Sequence, residues 1–119
     1  MPEISLTLPG SIRSKKNSKR IFARGKFKTV LPSQAYELWE SEARKRVWPQ
    51  AIIPPLTCPV EVTAVCYCKG VLPDLSGALE SVGDCLEGIV WANDKQIVSW
   101  DGSRVFRDKN PRTEITVKW

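Results

Sequence analysis

The chain contains no histidine. That absence removes the serine and cysteine triads and most imidazole acid–base chemistry. If the protein is an enzyme, carboxylates, a metal ion or a lysine must carry the reaction. The four cysteines, Cys58, Cys66, Cys68 and Cys85, include no Cys-x-x-Cys pair, so the familiar zinc spacings are missing. Cys66 and Cys68 lie two apart in an alternating run, which puts both on one face of a strand. They are expected to be reduced, small and buried. No run approaches the roughly 18 apolar residues that a membrane helix needs. The start, Met1-Pro2-Glu3-Ile4, lacks the basic stretch and apolar core of a signal peptide. The expectation is a cytoplasmic protein with no membrane partner. Internal repeats and low-complexity tails are also absent.

Acidic residues are missing from one place in particular. Between Ser11 and Lys28 lie Arg13, Lys15, Lys16, Lys19, Arg20, Arg24, Lys26 and Lys28, with no aspartate or glutamate among them. A net charge of +5 over 119 residues is ordinary for solubility, so the distribution matters more than the total. A block of like charge repels itself unless a polyanion screens it, and a phosphate backbone is the obvious polyanion. Arg13, Lys15, Lys16, Asn17, Lys19, Arg20, Arg24 and Lys26 are therefore the candidate nucleic-acid contacts.

The length suits one domain spanning residues 1–119, with a core small enough that a homodimer would add useful burial. Residues 3–8 alternate polar and apolar, the period of a half-buried strand, and Pro9-Gly10 ends it. The basic stretch reads as a loop or loose hairpin anchored by Ile21-Phe22 and Phe27. Ser33 is a reasonable helix cap. Tyr36, Trp39, Ala43 and Val47 then form an apolar stripe, and Pro49 ends the helix by Trp48. Residues 60–68 alternate cleanly and make the most secure strand. A second helix opens at Asp74, with Leu75, Leu79, Val82, Leu86 and Ile89 on its buried side and Gly88 as terminator. Gly77 and Gly83 are poor helix formers and suggest close approach of another backbone, such as a partner subunit. A strand near Gln96–Trp100, a polar loop from Asp101 to Pro111 and a last strand through Thr113, Ile115 and Val117 complete the chain. The expected class is α/β, two helices on a mixed sheet in the order β-α-β-α-β-β.

Asp74 sits where a strand hands over to a helix, and Asp94 just before the next strand. Element ends on one edge of an open α/β sheet are where such folds place their sites, and two carboxylates there can converge on a hard cation. A plain alternative for Asp74 is a helix cap. Glu80, Asp84 and Glu87, spaced by four and three, share a helical stripe that is equally consistent with a solvated face.

The run from Pro73 to Val98 resembles the signature of the RusA-type Holliday-junction resolvases. Its second half, Asp-Cys-Leu-Glu-Gly-x-x-Trp-x-Asn-Asp-x-Gln over residues 84–96, is the specific part. The strand ending at Pro9, the Lys15-Lys16-Asn17-Ser18-Lys19 segment, the helix from Ser33 and the strand after Asn110-Pro111 resemble the family in the same order. The resemblance implies a homodimer, often encoded by prophages. It further implies recognition of four-way or other branched DNA and paired symmetric nicks made with Mg²⁺, or Mn²⁺ in its place, in DNA recombination and repair. It also implies that Asp74 and Asp94 are catalytic metal ligands, with Asn93 beside the second.

Two positions depart from the pattern. Ser76 stands where the family has a second aspartate, and Glu80 where it has a catalytic lysine. Gly77 also replaces an asparagine. Ser76 and Glu80 are four apart and hence neighbours on one helical face, so Glu80 is a candidate substitute ligand, direct or through water. Lys95 is the candidate for the missing positive charge, with Ser76, Asn93 and Asp84 around the site. The rival expectations are a weakened or inactive branched-DNA-binding protein of the same fold and, more remotely, a structural domain.

Overall fold

A computed structural model describes residues 1–14, 19–24, 27–32 and 34–119, with the side chains of 1–14 and 34–119. The strands are Glu3–Pro9 (β1), Lys19–Arg24 (β2), Phe27–Pro32 (β3), Val60–Cys68 (β4), Ile97–Ser99 (β5), Arg104–Arg107 (β6) and Arg112–Lys118 (β7). The helices are Gln34–Val47 (α1) and Leu75–Leu86 (α2). One five-stranded sheet carries the domain in the order β1-β7-β4-β5, with β6 also on β4. β1 and β7 pair antiparallel, as do β7 and β4. β5 and β6 both lie parallel to β4, the first at its start (Val60↔Ile97) and the second at its end (Tyr67↔Phe106). The sheet is mixed, with two helices, as expected.

Strand alternation decides which face the helices cover. Val60, Val62, Ala64, Cys66 and Cys68 of β4 are fully or almost fully buried, and register places Val62 beside Val117 and Ala64 beside Ile115. Leu6 and Leu8 of β1 extend this layer. Small alanine and cysteine side chains in the central strand leave room for α1 to insert Tyr36, Trp39, Ala43 and Val47, as the stripe predicts. α2 inserts Ala78, Val82, Cys85 and Leu86. All four cysteines are free thiols. Burial pushes the Cys66 thiol up to about 11 and Cys85 up to about 12, so neither is a nucleophile near neutral pH.

Several expectations need correction. The polar loop after β5 contains β6, a short edge strand that is mostly exposed and so has no apolar alternation to reveal it. The basic stretch includes a two-stranded antiparallel hairpin, β2 with β3, one of the two readings expected of it, and these strands together with β6 make the element order longer than β-α-β-α-β-β. Leu75 is 44% exposed, not buried. Gly88 does terminate the helix, following the Glu87 C-cap with a φ of +82°. Ile89 is buried, but beyond the helix. The Ser33 cap and the anchoring role of Ile21, Phe22 and Phe27 lie outside the described residues and side chains.

Candidate active site

Because β4 and β5 are parallel, α2 must run back from the end of β4 to its start. Asp74, before the helix, and Asp94, before β5, therefore come from opposite ends of the strands. The structure resolves this by laying the Asp94 turn against the side of α2. A Cβ built on Gly83 would lie 3.5 Å from the Asp94 Cβ and 3.8 Å from Ile97 Cδ1. Both are side-chain atoms at ordinary contact distance, so Gly83 meets no second backbone among the described residues. It also accepts a hydrogen bond at its carbonyl from Trp91 Nε1 at 3.1 Å, and Trp91 is fully buried.

The result is a cleft of about 320 Å³ lined by Ser76, Leu79, Glu80, Gly83, Asp94, Ile97 and Trp100. Ser76, Glu80 and Asp94 are exposed, while Leu79, Ile97 and Trp100 are half-buried and form its apolar wall. Asp74 is placed elsewhere. It occupies the N-cap position of α2 without a side-chain cap hydrogen bond, so the plain capping role does not hold. It lines a neighbouring depression of about 140 Å³ with Arg13, Ser14 and Pro73. It is six positions from Glu80, roughly 9 Å along the axis.

The turn that presents Asp94 is tightly specified. Asn93 Oδ1 accepts from the Lys95 backbone N–H at 2.9 Å, and the Asn93 N–H donates to Gln96 Oε1 at 2.7 Å, a reciprocal capping box. Gln96 Nε2 donates in turn to the carbonyls of Leu56 at 2.7 Å and Cys58 at 2.9 Å. The Asp94 N–H donates to Glu87 Oε1 at 3.2 Å. Asn93 is therefore a builder of the turn, and Glu87 and Gln96 are supporting residues whose roles the sequence signature hinted at without showing. Lys95 is exposed next to Asp94. Asp84 is half-buried on the side of α2 that faces α1, where its charge acts on Tyr36.

Arg13 is half-buried, and its carbonyl accepts from the buried Ser81 Oγ at 2.6 Å. The root of the basic segment is thereby fastened to α2. Lys15, Lys16, Asn17 and Lys26 lie outside the described residues, and Lys19, Arg20 and Arg24 are described by backbone alone.

A magnesium ion is commonly held by one or two carboxylates, with waters and substrate phosphate completing its shell. Glu80 and Asp94, on one open cleft with the Ser76 hydroxyl, fit that donor set. Among the described residues, no group of three cysteine, aspartate or glutamate side chains is placed to hold an ion.

No curated protein matches the chain in sequence. A family model described as endodeoxyribonuclease RusA matches residues 9–118, from the end of β1 through β7 and including the whole cleft. The chain belongs to the endodeoxyribonuclease RusA family.

Proposed function

We propose that this protein is a magnesium-dependent, structure-specific DNA endonuclease that resolves four-way junctions by paired symmetric nicks, acting as a homodimer. The observation that carries this reading is that Glu80 and Asp94, fourteen residues apart in sequence, line one cleft in a chain of a nuclease family. Glu80 and Asp94 are assigned to the ion, and Asp74, beyond Ser76, to a water-mediated contact. When bound, magnesium supplies Lewis acidity toward the scissile phosphate and lowers the pKa of a coordinated water. The residues do the rest. Leu79, Ile97 and Trp100 exclude water from one wall of the cleft, which strengthens electrostatic interactions inside it. Lys95, beside Asp94, stands where a cation offsets charge growing on the phosphate. The basic segment rooted at Ser81 supplies salt-sensitive phosphate contacts that hold the branch without reading sequence. Two copies related by a twofold axis account for paired cuts.

The second reading, a branched-DNA-binding protein weakened in catalysis, is favoured by one observation. The described carboxylates gather as a pair and not as a triad. The deciding experiment is cleavage of a labelled synthetic four-way junction in Mg²⁺ and in Mn²⁺. Asp94→Asn and Glu80→Gln should each lower nicking by about 100-fold or more, at least the loss that accompanies removal of a supporting metal-site residue. Asp74→Asn should lower it less, with junction affinity retained in all three. Tight binding by the native protein without nicks in either metal establishes the second reading, and a monomer by light scattering rules out the paired mechanism.

A further inference from the structure

The face of the sheet away from the helices carries a column of side chains that the cleft does not use. Arg112 of β7 places its guanidinium carbon 4.0 Å from the Tyr67 ring centroid. On its other side Tyr67 of β4 stacks with Phe106 of β6, centroids 5.8 Å apart and planes 25° from parallel. The register explains the column, since Tyr67 is the direct neighbour of both Arg112 and Phe106. β6 is an edge strand, paired to β4 alone in the described sheet. Phe106 accordingly remains 44% exposed at the end of the column. A flat apolar ring presented at an edge is where a further aromatic plane extends the stack.

Charge lies beside it at the strand ends, with Arg107, the next residue of β6, on the other face of the sheet round the edge from Phe106. Lys69, Arg107 and Lys109 line an open depression of about 320 Å³ with Gly70 and Asp108, at the ends of β4 and β6. The one acid there is already engaged, because Asp108 accepts from the Asn110 N–H at 3.0 Å and lies 3.6 Å from Arg112. Arg104, on the same sheet face as Phe106, is exposed. The depression also abuts the root of the basic segment, since the Lys69 N–H donates to Ser11 Oγ at 2.9 Å.

We propose that the Tyr67–Phe106 stack and the Lys69, Arg107 and Lys109 cluster form a second DNA site, one that takes an unpaired strand by stacking a base on Phe106 and seating the adjoining phosphates on the cations. The ring selects the ligand. Cations alone hold duplex and single strand alike, whereas an exposed ring face gains only from a base that is free of its own stack. The site lies at the end of β4 remote from Asp94, about eight residues or roughly 26 Å along the strand. It would therefore hold the strand leaving a branch rather than the phosphate being cut. The inference rests on DNA as the partner in the preceding section.

The test measures fluorescence anisotropy of a short labelled oligothymidylate and of a blunt duplex of equal length, in EDTA, with the full chain. Phe106→Leu keeps apolar bulk on the fold and removes the ring. It should weaken oligothymidylate binding roughly tenfold and leave the duplex unchanged, and Phe106→Trp should restore the native affinity. The triple variant Lys69→Gln, Arg107→Gln, Lys109→Gln should lower the slope of log affinity against log salt by about 2 on the single strand. Undiminished oligothymidylate binding by Phe106→Leu, or an equal loss on duplex, overturns the proposal. Junction nicking measured in parallel separates the two ideas. Nicking with no effect at Phe106 sinks the platform alone, and Phe106-dependent binding by a protein that never nicks sinks the nuclease alone.

Discussion

Gln96 makes three hydrogen bonds with one amide, and its replacement tests whether the Asp94 turn depends on contacts forty residues away. In Gln96→Ala, the exposed Asn93 N–H turns to water at little loss. The Leu56 carbonyl keeps a second donor, the Ala92 N–H at 2.9 Å, and so loses a fraction of a bond. The Cys58 carbonyl, on a half-buried residue, loses the donor it had from Gln96. With a net hydrogen bond contributing about 1 kcal/mol, the sum is about 1.5 kcal/mol, or roughly 6 °C in Tm for a domain of this size. Gln96→Glu sharpens the argument. One oxygen still accepts from Asn93, but the other replaces a donor and faces two carbonyls. That repulsion raises the new carboxyl's pKa in the folded state above its unfolded value. The variant therefore has its full stability below the unfolded pKa and loses it as pH rises through the folded one. It should be less stable than Gln96→Ala at neutral pH and recover, relative to the native protein, on acidification toward about pH 4. Urea denaturation at both pH values measures this, with junction nicking as the functional readout. Nicking should fall although Glu80 and Asp94 are intact. A Gln96→Ala protein within about 0.5 kcal/mol of native, or a Gln96→Glu protein whose relative stability ignores pH, would refute the reasoning.

Gly83→Ala places its methyl at ordinary contact distance, 3.5 Å from the Asp94 Cβ. The gain in helix propensity should therefore raise stability by up to about 1 kcal/mol, seen as a higher Tm, and a fall would mean that the turn cannot yield. Thiol labelling near neutral pH should modify only Cys58 quickly in the native protein and all four cysteines in denaturant. Burial lifts the thiols of Cys85, Cys66 and Cys68 and withholds the reactive thiolate. Because these folded pKa values are raised, their contribution to stability is present below the unfolded thiol pKa and declines as pH rises through it toward about 11.

Periodicity in the chain was enough to identify β1, β4, β7 and both helices, because alternation and the 3.6-residue stripe record which side of each element faces the core. The stripe Tyr36, Trp39, Ala43 and Val47 is buried as its spacing requires. The motif around Asn93, Asp94 and Gln96 was visible as a run of residues, but the capping box that Asn93 and Gln96 close on each other emerged only in the structure. What no local pattern carries is pairing at a distance. β6 exists because Val65 to Cys68 offer it a free edge, and four mostly exposed residues leave no periodic trace of that. Leu75 has the spacing of a buried position but lies on the first turn of α2, where it remains 44% exposed. Asp74 and Asp94 look equivalent in sequence, each at a junction of strand and helix. The parallel pairing of β4 with β5 starts them from opposite strand ends, and the packing of the Asp94 turn on the side of α2 sets Asp94 on one cleft with Glu80. Residue types and their spacing determined which groups were available for chemistry. The tertiary structure alone decided which of them meet, because that depends on strand direction and on where the helix leaves a gap.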